Sequence, residues 1–333
     1  MIKVALDAMG GDRAPRVIVE GAAWASQTFD CHIVLVGKER NIKKFLDKTD
    51  YVKDKISVVP ATEVIEMGEP GALSVRRKKN SSISIGIDML KKKEVDAFIS
   101  AGNTGAVVCA AMLKLRTLPG IERPGIGIIF PTPKKPCMMI DAGANIDAKA
   151  MHLLHYGIMG SVYSKYILGR DNPTVGILNI GQEESKGTEV IKEARSFFEK
   201  TNLNFIGNIE ARDVFTGKID VVVTDGFVGN IVLKVMESFA DASSRFLKEE
   251  LTKRLLPKIG AILSLPVYRA IRKKIDYSEY GGAPLLGIDG RIIIAHGSSN
   301  AKAIKSAVRA ASEYVAQKLN QHIIEGMEVV SGR

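Results

Sequence analysis

Residues 2–12 read IKVALDAMGGD: a largely apolar run from Ile2 to Leu6 enters an acid, Asp7, and closes on Gly10, Gly11 and Asp12. A near-continuous apolar run, rather than strict alternation, marks a strand buried on both faces, as in a parallel sheet covered by helices. Carboxylates and glycines at the end of such a strand are out of place in a core and suit a small polar ligand. A bland reading is also open, in which Asp12 caps a helix beginning at Pro15.

Five further apolar runs end the same way: FISAGNTGA from Phe98, MIDAGAN from Met139, LNIGQEESKG from Leu178, VVTDGFVGN from Val222 and IAHGSSN from Ile294. In each, a strand gives way to Asp, Asn, Ser or His with one or two glycines before a helix. Ligands of parallel α/β folds sit beyond the carboxyl ends of the strands, where helix N-termini offer unpaired N–H groups and partial positive charge. Six such ends predict one shared anion site. The runs HIVLVG, ISVV, GIGIIF and LNFIG complete the strand pattern, and VVTDGFVGN ends the longer run IDVVVTD.

Helices are expected at 15–27, 81–92, 106–115, 150–167, 189–200, 230–256 and 300–321, with Trp24 in the core. The fold class is α/β, a three-layer α/β/α arrangement with a largely parallel sheet. No Pro-, Gly- or Ser-rich linker divides the 333 residues, so a single domain over 1–333 is expected.

Composition narrows the function. Three cysteines, Cys31, Cys109 and Cys137, lie far apart without a C-x-x-C pair, which argues for buried thiols rather than disulfides or zinc. His152 and His155 lie three apart on a helix with no carboxylate to complete a metal site, so packing is expected of them and no metal or cofactor is called for. The formal charge of +10 implies an acidic partner. Aromatic residues do not interleave with the cations of RRKK (76–79) or KKK (91–93), which weakens a nucleic-acid reading. No apolar run reaches the roughly 18 residues of a membrane span, and Asp7 and Asp12 interrupt any signal peptide, so a cytoplasmic chain is expected. DAMGGDRAP lacks the G-x-G-x-x-G of a dinucleotide site, and neither a P-loop nor a G-x-S-x-G elbow occurs.

DAMGGDRAP, RRKKNSS, SAGNTGA, ANIDAK, YGIMGSVYS, FIGNIEARD, VVTDGFVGN, YGGAPLLG and AHGSSNAKA, in order from Asp7 to Ala303, resemble the signatures of the bacterial phosphate acyltransferases of phospholipid synthesis, the PlsX family. The resemblance implies transfer of a fatty acyl group from acyl carrier protein to inorganic phosphate, giving acyl phosphate. It also implies a fold similar to the isocitrate and isopropylmalate dehydrogenases and to phosphotransacetylase, a homodimer, peripheral membrane association, and hand-off to a glycerol-3-phosphate acyltransferase. Two alternatives are kept: a phosphotransacetylase-like enzyme using acyl-coenzyme A, and a basic lipid- or nucleic-acid-binding protein on an inactive scaffold.

For that reaction a thioester supplies the leaving group and phosphate the nucleophile, so the protein's tasks are positioning and charge stabilisation. Lys186 is the expected cation and Asn230 the expected neutral donor to the oxyanion, supported by Asn103 and Thr104. His296 is open to two roles, protonating the departing thiolate or ordering its loop. Asp7 and Asp225 repel phosphate and are expected to orient Lys or backbone N–H groups rather than touch it. Gly10, Gly11, Gly105, Asn145, Gly226, Gly297, Ser298 and Ser299 complete the expected phosphate and substrate loops. RRKKNSS is open as a contact for the carrier protein or its phosphopantetheine phosphate, or as a solvated helix start.

From Lys253 to Lys274 the chain holds seven cations and no acid among Leu255, Leu256, Ile262, Leu263, Leu265 and Ile271. With Pro257 and Pro266 as breaks, the pattern predicts a protruding helical hairpin over about 245–277 with an apolar tip at 259–265. Together with Arg272 and Lys273, it is an expected anchor to an anionic membrane surface, with packing in a dimer as the other reading.

Overall fold

The computed structural model describes residues 1–268 and 280–330 of the chain. Five strands, β1 (Ile2–Asp7), β2 (Cys31–Gly37), β3 (Ile56–Pro60), β4 (Ala97–Ser100) and β11 (Ile292–Ile294), lie parallel in the order β3-β2-β1-β4-β11. In β1, Leu6 pairs with Leu35 of β2 on one side and with Ile99 of β4 on the other. A second parallel set, β6 (Cys137–Ile140), β9 (Val221–Val223), β7 (Thr174–Leu178) and β8 (Asn204–Ile209), follows in that order. Two strands join the sets: β10 (Ala283–Leu286) is antiparallel to β11, and β5 (Gly125–Phe130) is antiparallel to both β10 and β6. The two parallel sets therefore run in opposite directions. β10 was not anticipated, since its four residues sit inside YGGAPLLG, where Gly and Pro mask a short strand.

Helices cover both faces. On one lie α1 (Arg16–Thr28) and α6 (Ala150–Tyr166), with the C-terminal pair α10 (Ala301–Ala316) and α11 (Leu319–Val330). On the other lie α3 (Gly71–Arg77), α4 (Ser82–Lys91), α5 (Thr104–Lys114) and the start of α8 (Gly226–Thr252). Along β1, Val4 and Leu6 enter the first core and Ala5 the second. This is the α/β/α arrangement expected; α2 (Glu39–Leu46) and α7 (Glu189–Phe198) complete the described helices of the sheet layers.

Four expectations are corrected. The helix expected over 300–321 is two, because Lys318 takes φ +48 and the buried Asn320 amide bonds the Ile288 carbonyl at 2.9 Å, fixing a new direction for the chain. Trp24 is 46% exposed rather than buried. α8 starts at Gly226, four residues before the expected start, because Asp225 caps it by accepting from the Val228 N–H at 2.9 Å. Past its first turns α8 leaves the core, and α9 (Leu255–Leu263) packs back on it. Pro257 does not break the chain here: it sits in the first turn of α9, where its missing N–H has no helical partner to lose. The expected tip is thus largely helix, followed by a turn at Ser264 and helical backbone over 265–268. Ile271, Arg272 and Lys273 lie outside the described residues, as does the rest of the expected hairpin from 269 to 277. No described helix is long and apolar enough to cross a membrane.

Candidate active site

The reversal in the sheet divides the six strand ends into two cradles. The first collects the ends of β1, β4 and β11. Asp7, 2% exposed, accepts from the Met9 N–H at 3.0 Å and the Ser100 hydroxyl at 2.7 Å. Burial pushes its carboxyl up, against hydrogen bonds from Ser82, Ser100, Met9 and Gly10. Gly10 is required there, since a Cβ would lie 2.5 Å from the Gly102 nitrogen and 2.6 Å from Asp7 Oδ2. The Asp12 N–H donates to the Gly297 carbonyl at 2.9 Å, and Asp12 caps no helix, because α1 follows Pro15 without a side-chain cap. Arg13 donates to the carbonyls of Ser298 and Ser299 at 2.8 and 3.0 Å, which ties the first loop to the last.

Asn103 also belongs to this cradle, but its side chain is fully committed. Oδ1 accepts from Ala106 N–H to cap α5, and Nδ2 faces the carbonyls of Glu66, Met67 and Glu69. It holds the 66–69 loop and has no N–H to spare for an oxyanion, which corrects the support expected of it. Thr104 and Gly105 open α5 and are exposed. Glu69 of the same loop is paired with Lys78 and Ser74, and these bonds hold its carboxyl down at about 2. Within RRKKNSS, Lys78 is therefore turned inward, while Arg76, Arg77 and Lys79 are exposed.

The second cradle collects the ends of β6, β9 and β7 at the opposite edge. Asp141 is fully buried and accepts four N–H groups, from Ile126, Gly143, Ala144 and Asn145. Burial pushes it up to about 6 against those bonds. The resulting turn seats α8: the Gly226 N–H donates to the Asn145 carbonyl at 2.9 Å, and a Cβ at Gly229 would collide with the Asp141 carbonyl. Asn145 Nδ2 donates to Tyr156 Oη at 2.9 Å. Asn230 comes to rest over Gly143, whose φ is +132 and whose missing Cβ would lie 3.6 Å from the Asn230 side chain. Lys186 is exposed on the loop after β7, which is next to β9; its ammonium has no partner among the described residues.

α8 joins the cradles. Asn230, Lys234 and Glu237 recur at i, i+4 and i+7, so they share one helix face, about 10 Å long at 1.5 Å per residue. Lys234 Nζ pairs with Glu237 Oε2 at 2.8 Å, and Glu237 Oε1 stands 3.5 Å from His296 Nε2. Burial raises the Glu237 carboxyl, but the bonds from His296 and Lys234 outweigh it and hold the group below its ordinary value. His296 Nδ1 accepts from the Ser298 N–H at 3.2 Å and lies 2.7 Å from Ser298 Oγ, which puts the ring proton on Nε2, toward Glu237. Of its two possible roles, this geometry supplies the ordering of the 296–299 loop. A hollow of about 410 Å³ lies along α8, lined by Asn230, Ile231, Lys234, Val235 and Ser238.

The expected single site is thus a cleft with a cradle at each end and α8 along its wall. Lys234 and Glu237 were missed, although their spacing from Asn230 was readable in NIVLKVME. The groups set aside behave as core: His152 Nε2 bonds Glu122 at 3.0 Å, and burial lowers His155 to about 4. Cys31 and Cys137 are buried, Cys137 being pushed up to about 12, and Cys109 is half-buried. Among the described residues no cluster of His, Cys, Asp and Glu could hold a metal ion.

Residues 2–322 match the model of the family described as fatty acid synthesis protein. The chain is 47% identical over 329 residues to the phosphate acyltransferase of Syntrophotalea carbinolica, covering 98% of this chain and 95% of that one. Its fold is similar to a phosphotransacetylase from Streptococcus pyogenes, with a TM-score of 0.62 at 16% identity over 95% of this chain and 94% of that one. It is also similar to a 4-hydroxythreonine-4-phosphate dehydrogenase from Klebsiella pneumoniae, with a TM-score of 0.50 at 13% identity over 95% and 99%. At such identities the structural likeness speaks for the fold alone.

Proposed function

Because the chain belongs to the fatty acid synthesis protein family, that of the phosphate acyltransferases, we propose that it moves a long-chain fatty acyl group from acyl carrier protein to inorganic phosphate. It is an acyltransferase whose substrates are an acyl donor and phosphate. The finer reading gives the acyl phosphate to a glycerol-3-phosphate acyltransferase for glycerophospholipid synthesis.

The observation that carries the site assignment is Asn230, held by the Asp141 turn in the first turns of α8, with Lys186 on a neighbouring loop of the same sheet edge. A phosphate oxygen attacks the thioester carbonyl, the carbon–oxygen bond forms, and the carbonyl electrons move onto oxygen. Asn230 Nδ2 donates to that oxyanion, while Lys186 and Lys234 balance the phosphate charge; the Gly226 and Val228 N–H groups at the start of α8 are already taken by the Asn145 carbonyl and Asp225. Collapse of the tetrahedral carbon expels the thiolate and leaves acyl phosphate. Asp225 and Asp141 act through backbone N–H groups, as their repulsion of phosphate requires. Gly10, Gly11, Gly297, Ser298 and Ser299 form the other end of the cleft, which suits the donor's arm.

Two surfaces support peripheral membrane contact and a homodimer. Ile262 and Leu263 of α9 are 59% and 78% exposed, which fits insertion into an anionic leaflet, and the exposed Lys253 and Arg254 precede the helix. Ile231, Val235, Phe239 and Phe246 form an exposed apolar stripe along α8, which fits a second copy of the chain.

The test is turnover by Asn230→Ala and Lys186→Ala at saturating phosphate. Each is expected to fall about 10²- to 10³-fold, the usual effect of losing one oxyanion donor. Near-normal turnover in a variant that keeps its circular dichroism removes that residue from the mechanism.

A further inference from the structure

The second cradle carries large apolar side chains in water. Ile180, on the loop after β7, is 85% exposed, Ile146, on the loop after β6, is 73% exposed, and Phe227, in the first turn of α8 after β9, is 58% exposed. None of the three belongs to either core. Their strands are neighbours in register, since Val223 of β9 pairs with Ile140 of β6 on one side and Ile177 of β7 on the other. The three loops therefore leave the sheet across a span of about 10 Å, two strand spacings. The Gly226 N–H bond to the Asn145 carbonyl sets the residue before Phe227 against the residue before Ile146 at 2.9 Å. Asn179 Nδ2 donates to the Lys186 carbonyl at 3.1 Å, which closes the loop that carries both Ile180 and Lys186. Phe227 and Asn230 are three apart on α8 and share a helix face.

We propose that Ile146, Ile180 and Phe227 form the seat of the acyl chain, on the side of Asn230 away from the first cradle. The proposal rests on the reading that the thioester oxyanion forms at Asn230. Position selects the occupant: the chain begins one bond from the carbonyl carbon, so apolar groups beside Asn230 and Lys186 meet its methylenes. Phosphate, an anion, gains nothing from Ile or Phe. The donor's arm enters from the first cradle along the face of Asn230, Lys234 and Glu237, so the chain leaves past the start of α8. Taking its methylenes out of water is favourable in proportion to the area covered. A butanoyl chain covers little of a rim about 10 Å wide and a palmitoyl chain all of it, so these residues set a preference for long chains.

The experiment compares the full chain with two variants, Ile180→Ser and the pair Ile146→Ser with Phe227→Ser. Phosphate-dependent transfer from palmitoyl- and butanoyl-carrier protein is measured without detergent or vesicles, and sedimentation gives the mass of each variant. Expected in each is a fall of about tenfold or more in the palmitoyl-to-butanoyl ratio of kcat/KM, equivalent to about 1.4 kcal/mol, with butanoyl transfer and KM for phosphate kept. A ratio unchanged in either variant overturns the seat and leaves the transfer reading standing. Equal losses with both donors overturn it too, since the residues then serve the site or the fold. So does wild-type protein that uses both donors equally, because added methylenes then gain nothing. A variant of lower mass that keeps its ratio gives the rim to a second copy of the chain instead. Wild-type thioester consumption that ignores phosphate overturns the transfer reading and the seat together.

Discussion

Glu237 Oε1, on α8, stands 3.5 Å from Nε2 of His296, on the loop after β11, and so fastens the wall of the cleft to its far cradle. The same carboxylate holds Lys234 at 2.8 Å. Glu237→Ala removes both contacts and is expected to lower kcat about ten- to a hundredfold, the scale on which small misplacements act. Glu237→Gln keeps an acceptor for the His296 Nε2–H and should recover most of that loss. Equal kcat for the alanine variant and wild type would show that the α8–loop contact plays no part in turnover.

His155 and Asp141 set opposed acid responses. His155 is lowered by burial from 6.5 to about 4, so between those values the unfolded chain binds a proton that the native one does not, and stability falls as pH falls. Asp141 is raised by burial from 3.8 to about 6, so across that window the native chain binds the proton more readily and stability rises as pH falls. His155→Gln removes the first response only. The drop in Tm from pH 7 to pH 4.5 should be smaller in this variant than in wild type; an equal or larger drop would show that His155 is not the group that titrates.

Leu263 is the most exposed apolar side chain described in α9. Leu263→Glu is expected to release the protein from anionic liposomes at low salt while acyltransferase turnover in solution survives, since α9 lies outside both cradles. Cosedimentation equal to that of wild type would place the membrane contact elsewhere.

Much of this was legible in the sequence, for physical reasons that also set the limit. Strands such as HIVLVG announce themselves because burial on both faces demands an unbroken apolar run, and the six polar runs mark the ends of β1, β4, β6, β7, β9 and β11. Strand direction leaves no local trace, so the reversal at β10 and β5, and with it the division into two cradles, was invisible. Asn103 looked like a ligand donor because an amide in SAGNTG serves a cap or an anion equally well; only the 66–69 carbonyls around it decide. Trp24 was misplaced because an apolar helix suggested core, although Arg16 and Glu20 at spacing four already marked its face as outward.

Phosphate itself accepts the acyl group. The most direct measurement incubates the purified full chain with palmitoyl-carrier protein and inorganic phosphate, then traps the product with hydroxylamine as palmitoyl hydroxamate against a phosphate-free control. Hydroxamate is expected to rise with phosphate, to match the thioester consumed, and to be lost in Asn230→Ala. Thioester consumption that is independent of phosphate, or that yields no hydroxamate above the control, would contradict it.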